Sequence, residues 1–141
     1  MGSGPSGLAA AQQLNRAGHL VTVMERADYI GGLLSLGIPE FKLEKNVVQR
    51  RIDIMTAEGI TFLTNTNVGV NYPVDQLLVD FDAVCLACGA TQARELDVPG
   101  RDLEGVHLAM EYLSQQNRVL LGEDIPPAER IEAEGKRVVI L

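Results

Sequence analysis

The stretch Gly2-Ser3-Gly4-Pro5-Ser6-Gly7 constrains the fold of this chain more than any other. A G-x-G-x-x-G turn brings backbone N–H groups against a pyrophosphate, and it needs a strand before it and a helix after it. The helix is legible. Leu8, Ala11 and Leu14 recur at helical spacing, Pro5 suits a first-turn position and Gly18 suits the end, which predicts a helix over 5–17. The leading strand is not, since only Met1 precedes the turn. The opening residues thus encode half of a dinucleotide cradle.

The rest of the chain continues an α/β alternation. The β-branched run 20–24 follows Gly18-His19 and predicts a buried parallel strand with Glu25 at its C-terminal tip. A loop over 26–41, punctuated by Gly31, Gly32, Gly37 and Pro39, is too long for a plain connector and is expected to touch a ligand. Val47, Val48, Ile52 and Met55 oppose Lys45, Asn46, Gln49 and Arg50, predicting an amphipathic helix over 43–58 that Gly59 stops. Strands are expected over 60–63, 65–70 and 83–87, the last being the most hydrophobic, with a short helix over 74–79 between them. Beyond Pro99-Gly100 a helix is expected over 108–120, then an exposed acidic stretch over 123–134 and the start of a strand over 138–141. This order implies a Rossmann-like, doubly wound, mostly parallel sheet lacking its usual first strand.

Bulk properties exclude several classes. A chain of 141 residues is expected to form one core, burying roughly two-thirds of the surface its unfolded form exposes. A net charge of −7 with scattered basic residues argues against a nucleic-acid partner. No run approaches the roughly 18 apolar residues of a membrane span, and Met1 leads into a glycine turn, not a signal peptide, so the chain reads as cytoplasmic, or stromal in a plastid, with no membrane partner. Cys85 and Cys88 form a C-x-x-C, but strand alternation sends residues three apart to opposite faces. They read as two small buried hydrophobes, with no metal site. His19 and His107 lack a visible nucleophile or carboxylate partner and read as surface or capping residues. Arg50-Arg51 reads first as a solvated helix face and second as a docking patch.

Alone, the glycine turn is weak evidence, since small residues also serve simple packing. Glu25, 18 residues after Gly7, sharpens it: an acid at the second strand's end can accept the ribose hydroxyls of an adenosine and repels a 2′-phosphate. The alternative for Glu25 is a solvated carboxylate at a strand end. Gly31-Gly32-Leu33-Leu34 lets a second backbone segment approach a long cofactor, favouring FAD over NAD. Small residues in Leu86-Ala87-Cys88-Gly89-Ala90 leave room at the sheet's C-terminal edge or simply pack a tight turn.

These segments, with Glu25-Arg26, Gly37-Ile38-Pro39-Glu40-Phe41-Lys42-Leu43, Val98-Pro99-Gly100-Arg101-Asp102-Leu103 and His107-Leu108-Ala109-Met110-Glu111-Tyr112-Leu113, resemble the small (β) subunit of glutamate synthase and related NADPH-dependent flavoprotein oxidoreductases. The likeness extends over essentially the whole chain. It implies that Gly2, Gly4, Pro5, Ser6 and Gly7 lie along the FAD pyrophosphate and that Glu25 holds the adenosine ribose. Gly32 and Leu33 would run beside the flavin end, Lys42 would offer positive charge to the phosphates or flavin, Val68 would meet adenine, Ala87 and Gly89 would border the cofactor, and Ser3, Arg26, Gly31 and Leu34 are counted among the cofactor-binding residues.

The resemblance further implies a partial FAD-binding domain over 1–134 and the entry strand of an NADPH-binding domain over 135–141, with the NADPH site and the iron–sulfur clusters of the family lying outside this chain. Electrons would pass from NADPH through FAD and those clusters to a large glutamate synthase subunit or another electron-accepting partner. The cofactors carry that chemistry, so no catalytic residue is assigned. The alternative is a non-catalytic Rossmann-like fragment or interaction module without bound flavin. The strand-like composition of 138–141 also raises the expectation that this tail docks in parallel into the missing strand's place, with Val139 beside Val21 or Val84.

Overall fold

Pro5 has no backbone N–H to leave unpaired and carries a preset φ, so it can open a helix directly after the extended Gly4. The computed structural model, which describes residues 1–141, accordingly begins with helix α1 over Pro5–Arg16. It continues with β1 (Thr22–Met24), α2 (Leu33–Leu36), α3 (Lys45–Ala57), β2 (Thr61–Leu63), α4 (Val74–Asp80), α5 (Ala109–Leu120) and a 3₁₀ turn over Pro127–Glu129. Strands β1 and β2 pair in parallel, with Thr22 opposite Thr61, Val23 opposite Phe62 and Met24 opposite Leu63.

The core forms where the apolar faces of α1 and α3 meet this pair. Leu8, Ala11, Val23, Met55 and Ile60 are buried together, with Val21, Ile30, Leu34 and Phe62 packed against them. A polar seam closes the same junction: Gln12 Nε2 donates to Glu58 at 3.2 Å, Asn15 Nδ2 donates to the Glu58 carbonyl at 2.8 Å, and Arg51 donates to Gln12 Oε1. Of the expected stripe Val47, Val48, Ile52 and Met55, the last three form the buried face of α3, while Val47 lies on its exposed side.

Pairing extends past the strands on both sides. Glu25 N–H donates to the Leu63 carbonyl at 2.8 Å and Thr66 N–H to the Glu25 carbonyl at 2.8 Å. Across β1, Gly2 N–H donates to the Met24 carbonyl at 2.8 Å. Met1 then bonds the next segment, its amino group donating to the Cys85 carbonyl at 2.7 Å and its carbonyl accepting Ala87 N–H at 2.9 Å. The lateral order is therefore β2, β1, Met1-Gly2, residues 85–87.

Several expectations fail. The run 83–87 is extended but is not a strand; its lateral backbone hydrogen bonds are the two with Met1. Cys85 and Cys88 are free and exposed, not buried as expected, and Leu86 is 74% exposed. The tail does not dock: residues 138–141 form no strand, and Val139, Ile140 and Leu141 are 82%, 90% and 99% exposed, which removes the pairing with Val21 or Val84. The expected strand over 65–70 is a turn closed by one bridge between Val68 and Tyr72.

The expected large core shrinks with them. The accessible surface is 10204 Å², against about 7,100 Å² for a compact monomer of this mass. The sheet is thus an α/β arrangement with a small parallel pair, and the apolar side chains of 83–87 and 138–141 lack a neighbour to bury against. No helix is long and apolar enough to cross a membrane.

Met55 is 1% exposed at the centre of the core, so Met55→Ala should lower the unfolding free energy by about 2–5 kcal/mol, seen as a lower urea midpoint. A loss below about 0.5 kcal/mol would show that α3 does not anchor the fold.

Candidate functional site

The glycine turn is shaped by what its neighbours forbid. A Cβ on Gly7 would collide with the Gly2 carbonyl, and one on Gly2 would strike the Ala87 carbonyl, so these two glycines let the 85–88 segment lie against the turn. Gly4 is different. Its φ of −64° suits any residue, and a Cβ there would meet nothing within 4 Å. Nothing in the protein itself requires glycine at this position.

Gly4 is also the N-cap of α1, which has no side-chain cap, so the first N–H groups of the helix, at Ser6 and Gly7, have no side-chain acceptor. A helix end in this state carries partial positive charge and favours an anion. Gly32 faces it from the second loop: a Cβ on Gly32 would come within 3.2 Å of Gly4 Cα. The space in front of Gly4 is thus bounded by two backbone segments and left clear of side chains.

The acid completes the arrangement. Glu25 is 8% exposed, at the tip of β1, and turns toward the glycine turn. Its Oε2 accepts Ser3 Oγ–H at 2.6 Å and Ser3 N–H at 2.9 Å, and its Oε1 accepts Ala27 N–H at 2.9 Å. Ser3, with no exposed surface, also accepts Gly31 N–H on Oγ at 3.0 Å. Burial pushes the Glu25 carboxyl up, but the Ala27 amide, the Ser3 hydroxyl and amide and the Arg26 charge favour the anion, and together they hold it below its ordinary 4.5.

The loop between Glu25 and α2 is held from outside. Arg118 of α5 donates to both carboxylate oxygens of Asp28, at 2.7 and 2.8 Å, and to Glu123 at 2.7 Å, and its guanidinium sits 5.3 Å from the Tyr29 ring centre. That bond holds the Asp28 carboxyl below its usual value. Lys45 Nζ in turn holds α2 and the segment after it, donating to the carbonyls of Leu34, at 3.1 Å, Leu43, at 3.3 Å, and Ile38. Burial lowers the Lys45 pKa. Behind this loop lies a hollow of about 370 Å³ bordered by Tyr29, Lys45, Gln49, Ile52 and Leu121. None of the predicted site residues lines it, and the ammonium on its wall is already bound to three carbonyls.

Of the predicted residues, the structure brings together Gly2, Ser3, Gly4, Gly7, Glu25, Gly31, Gly32 and Ala87. Pro5 and Ser6 are exposed at the start of α1, and Arg26 is exposed beside Glu25. Leu33 is exposed while Leu34 packs on the core. Val68 is half-buried, two residues beyond the Thr66 that bonds Glu25. Lys42 is exposed over the Phe41 ring, 5.8 Å from its centre, and Gly89 faces open space. The fourfold role of Arg118 was not foreseen. It lies 90 residues from Asp28 in the chain, and no local pattern signals such a pair.

Because the folded Glu25 value lies below 4.5, its stabilising effect is complete above that pH and is lost as the pH falls through the folded value. Glu25→Gln should therefore destabilise most at neutral pH, and its gap in urea midpoint from the wild type should narrow on acidification below 4.5. A gap independent of pH would contradict an ionised, hydrogen-bonded Glu25.

The chain is 58% identical over its full length to a glutamate synthase [NADPH] small chain of Mycobacterium tuberculosis and 52% identical to that of Bacillus subtilis, covering 30% and 29% of those proteins. It is also 52% identical to a glutamate synthase [NADH] of Schizosaccharomyces pombe, covering 7% of it. The chain thus spans under a third of the length of these relatives. The model of the pyridine nucleotide-disulphide oxidoreductase family matches residues 1–141, and the chain belongs to that family.

Proposed function

We propose that this chain holds the adenosine diphosphate half of FAD in a Rossmann-like flavin domain of an NADPH-dependent oxidoreductase most like the glutamate synthase small chain. The observation that carries the reading is Gly4: a residue with an unstrained φ, whose Cβ would meet nothing within 4 Å, is glycine, and it opens a helix without a side-chain cap, between Gly32 and the Ser3 that binds Glu25. A ligand lying against the backbone there supplies the missing reason for glycine. The lateral order of segments supports the fold reading, since 61–63, 22–24, 1–2 and 85–87 follow one another as the third, second, first and fourth strands of such a sheet do.

In this reading the N–H groups at the start of α1 face the diphosphate, Gly4 and Gly32 let backbone approach it, and Glu25 accepts a ribose hydroxyl while repelling a 2′-phosphate. Ala87 and Gly89 border the cofactor, Val68 the adenine, Leu33 and Leu34 the flavin end, and Lys42 and Arg26 add positive charge. Bound there, the flavin supplies the electron-transfer chemistry between a nicotinamide and the next acceptor. The protein's part is to bind and orient, and no proton-transferring side chain is required. Residues 1–134 belong to the flavin domain and 135–141 lead into a nicotinamide domain. The onward path runs through iron–sulfur centres to a glutamate-forming large subunit or another electron acceptor in the cytoplasm.

A second reading, a colourless interaction module, is favoured by the exposed Leu86 and the extended run 83–87, which forms no strand. Reconstitution separates the two. The purified chain mixed with FAD and desalted should retain flavin absorbance, and Gly4→Val, whose Cβ would meet nothing within 4 Å in the protein, should keep the fold while weakening FAD at least about tenfold. No retained flavin, or equal binding by Gly4→Val, would overturn the flavin reading.

A further inference from the structure

The sequence alone allows Glu25 to accept both ribose hydroxyls, and the structure limits it. An ionised carboxylate offers about four lone-pair positions. Two on Oε2 are taken by the hydroxyl and the amide of Ser3, and one on Oε1 by the amide of Ala27. Oε2 cannot readily be released. Ser3 has no exposed surface, and its hydroxyl, having given its one proton to Glu25, takes the Gly31 amide in return. The Ser3 amide is fixed as well, because the preceding residue is pinned by the bond from Gly2 N–H to the Met24 carbonyl.

We infer that Ser3 is a positioning residue which, with the Ala27 amide, leaves Glu25 a single open acceptor position on Oε1, so that the site reads one ribose hydroxyl and not both. The inference rests on the adenosine reading of Glu25 given above. Ser3 itself touches no ligand through its side chain. It locks the acid's rotamer and ties the glycine turn to the Gly31-Gly32 loop through one hydroxyl. The site's discrimination is thereby set by a residue behind the acid, and the turn and the loop cannot move independently.

The test compares ADP, 2′-deoxy-ADP and 3′-deoxy-ADP by calorimetry on the whole chain. One deoxy analogue should bind about tenfold or more weaker than ADP, and the other within about twofold. Ser3→Ala removes the hydroxyl that locks the carboxylate's rotamer, so the acid can turn a second acceptor position to the ribose and the spared analogue should now lose affinity as well. A merely structural role for Ser3 would weaken all three ligands alike and leave their ratios unchanged. A ligand-free measurement accompanies this: the Gly31 amide should exchange slowly with solvent in the wild type and faster in Ser3→Ala.

Equal losses for both analogues in the wild type would overturn the inference while leaving adenosine binding intact, as would wild-type ratios in Ser3→Ala. If ADP does not bind the wild type at all, the adenosine reading falls and takes the inference with it. Should Ser3→Ala fail to fold, the wild-type comparison of the two analogues decides alone.

Discussion

A buried carboxylate held by hydrogen bonds and not by a salt bridge is the constraint around which this structure is arranged. Removing Glu25 from water would cost several kcal/mol unless its oxygens find donors. The donors come from three places: the amide and hydroxyl of Ser3 and the amide of Ala27. Because Ser3 also binds Gly31, satisfying the acid draws together the turn before α1, the tip of β1 and the loop before α2. Three segments distant in sequence are thereby fixed at one end of the sheet, which is the end where α/β proteins place ligands.

Everything else supports or surrounds this junction. The core of Leu8, Ala11, Val23, Met55 and Ile60 sets α1 and α3 against β1 and so aims the helix end at the site. Arg118 holds the loop before α2 through the Asp28 carboxylate, and Lys45 holds α2 and the segment after it through backbone carbonyls. These are polar anchors on an irregular segment, where hydrophobic burial has little to grip. Asp28 and Arg118 are partly exposed, so their pair fixes geometry more than it adds stability.

The elements that were legible in the sequence are those whose stability is local. Helix α1 follows from Pro5 and the spacing of Leu8, Ala11 and Leu14, and α3 from its apolar stripe, each within two residues of its expected start. The strands were less legible, because a strand exists only if a neighbour accepts its hydrogen bonds. Val84 and Leu86 have strand composition, yet Met1 alone stands beside them. The same lack leaves 138–141 exposed despite its β-branched residues. The short helix α2 went unread because four residues are too few to show a period.

The site divides along the same line. Sequence by itself determined that a glycine turn opens a helix, that an acid ends the following strand, and that a glycine pair comes next, because residue type and spacing are enough to state those local demands. Only the tertiary structure decided that Ser3 faces inward to bind that acid, that the Gly4 and Gly32 backbones approach closely, and that Arg118 reaches back to Asp28. Those are contacts between segments far apart in the chain, and their partners are selected by packing, which no local pattern encodes.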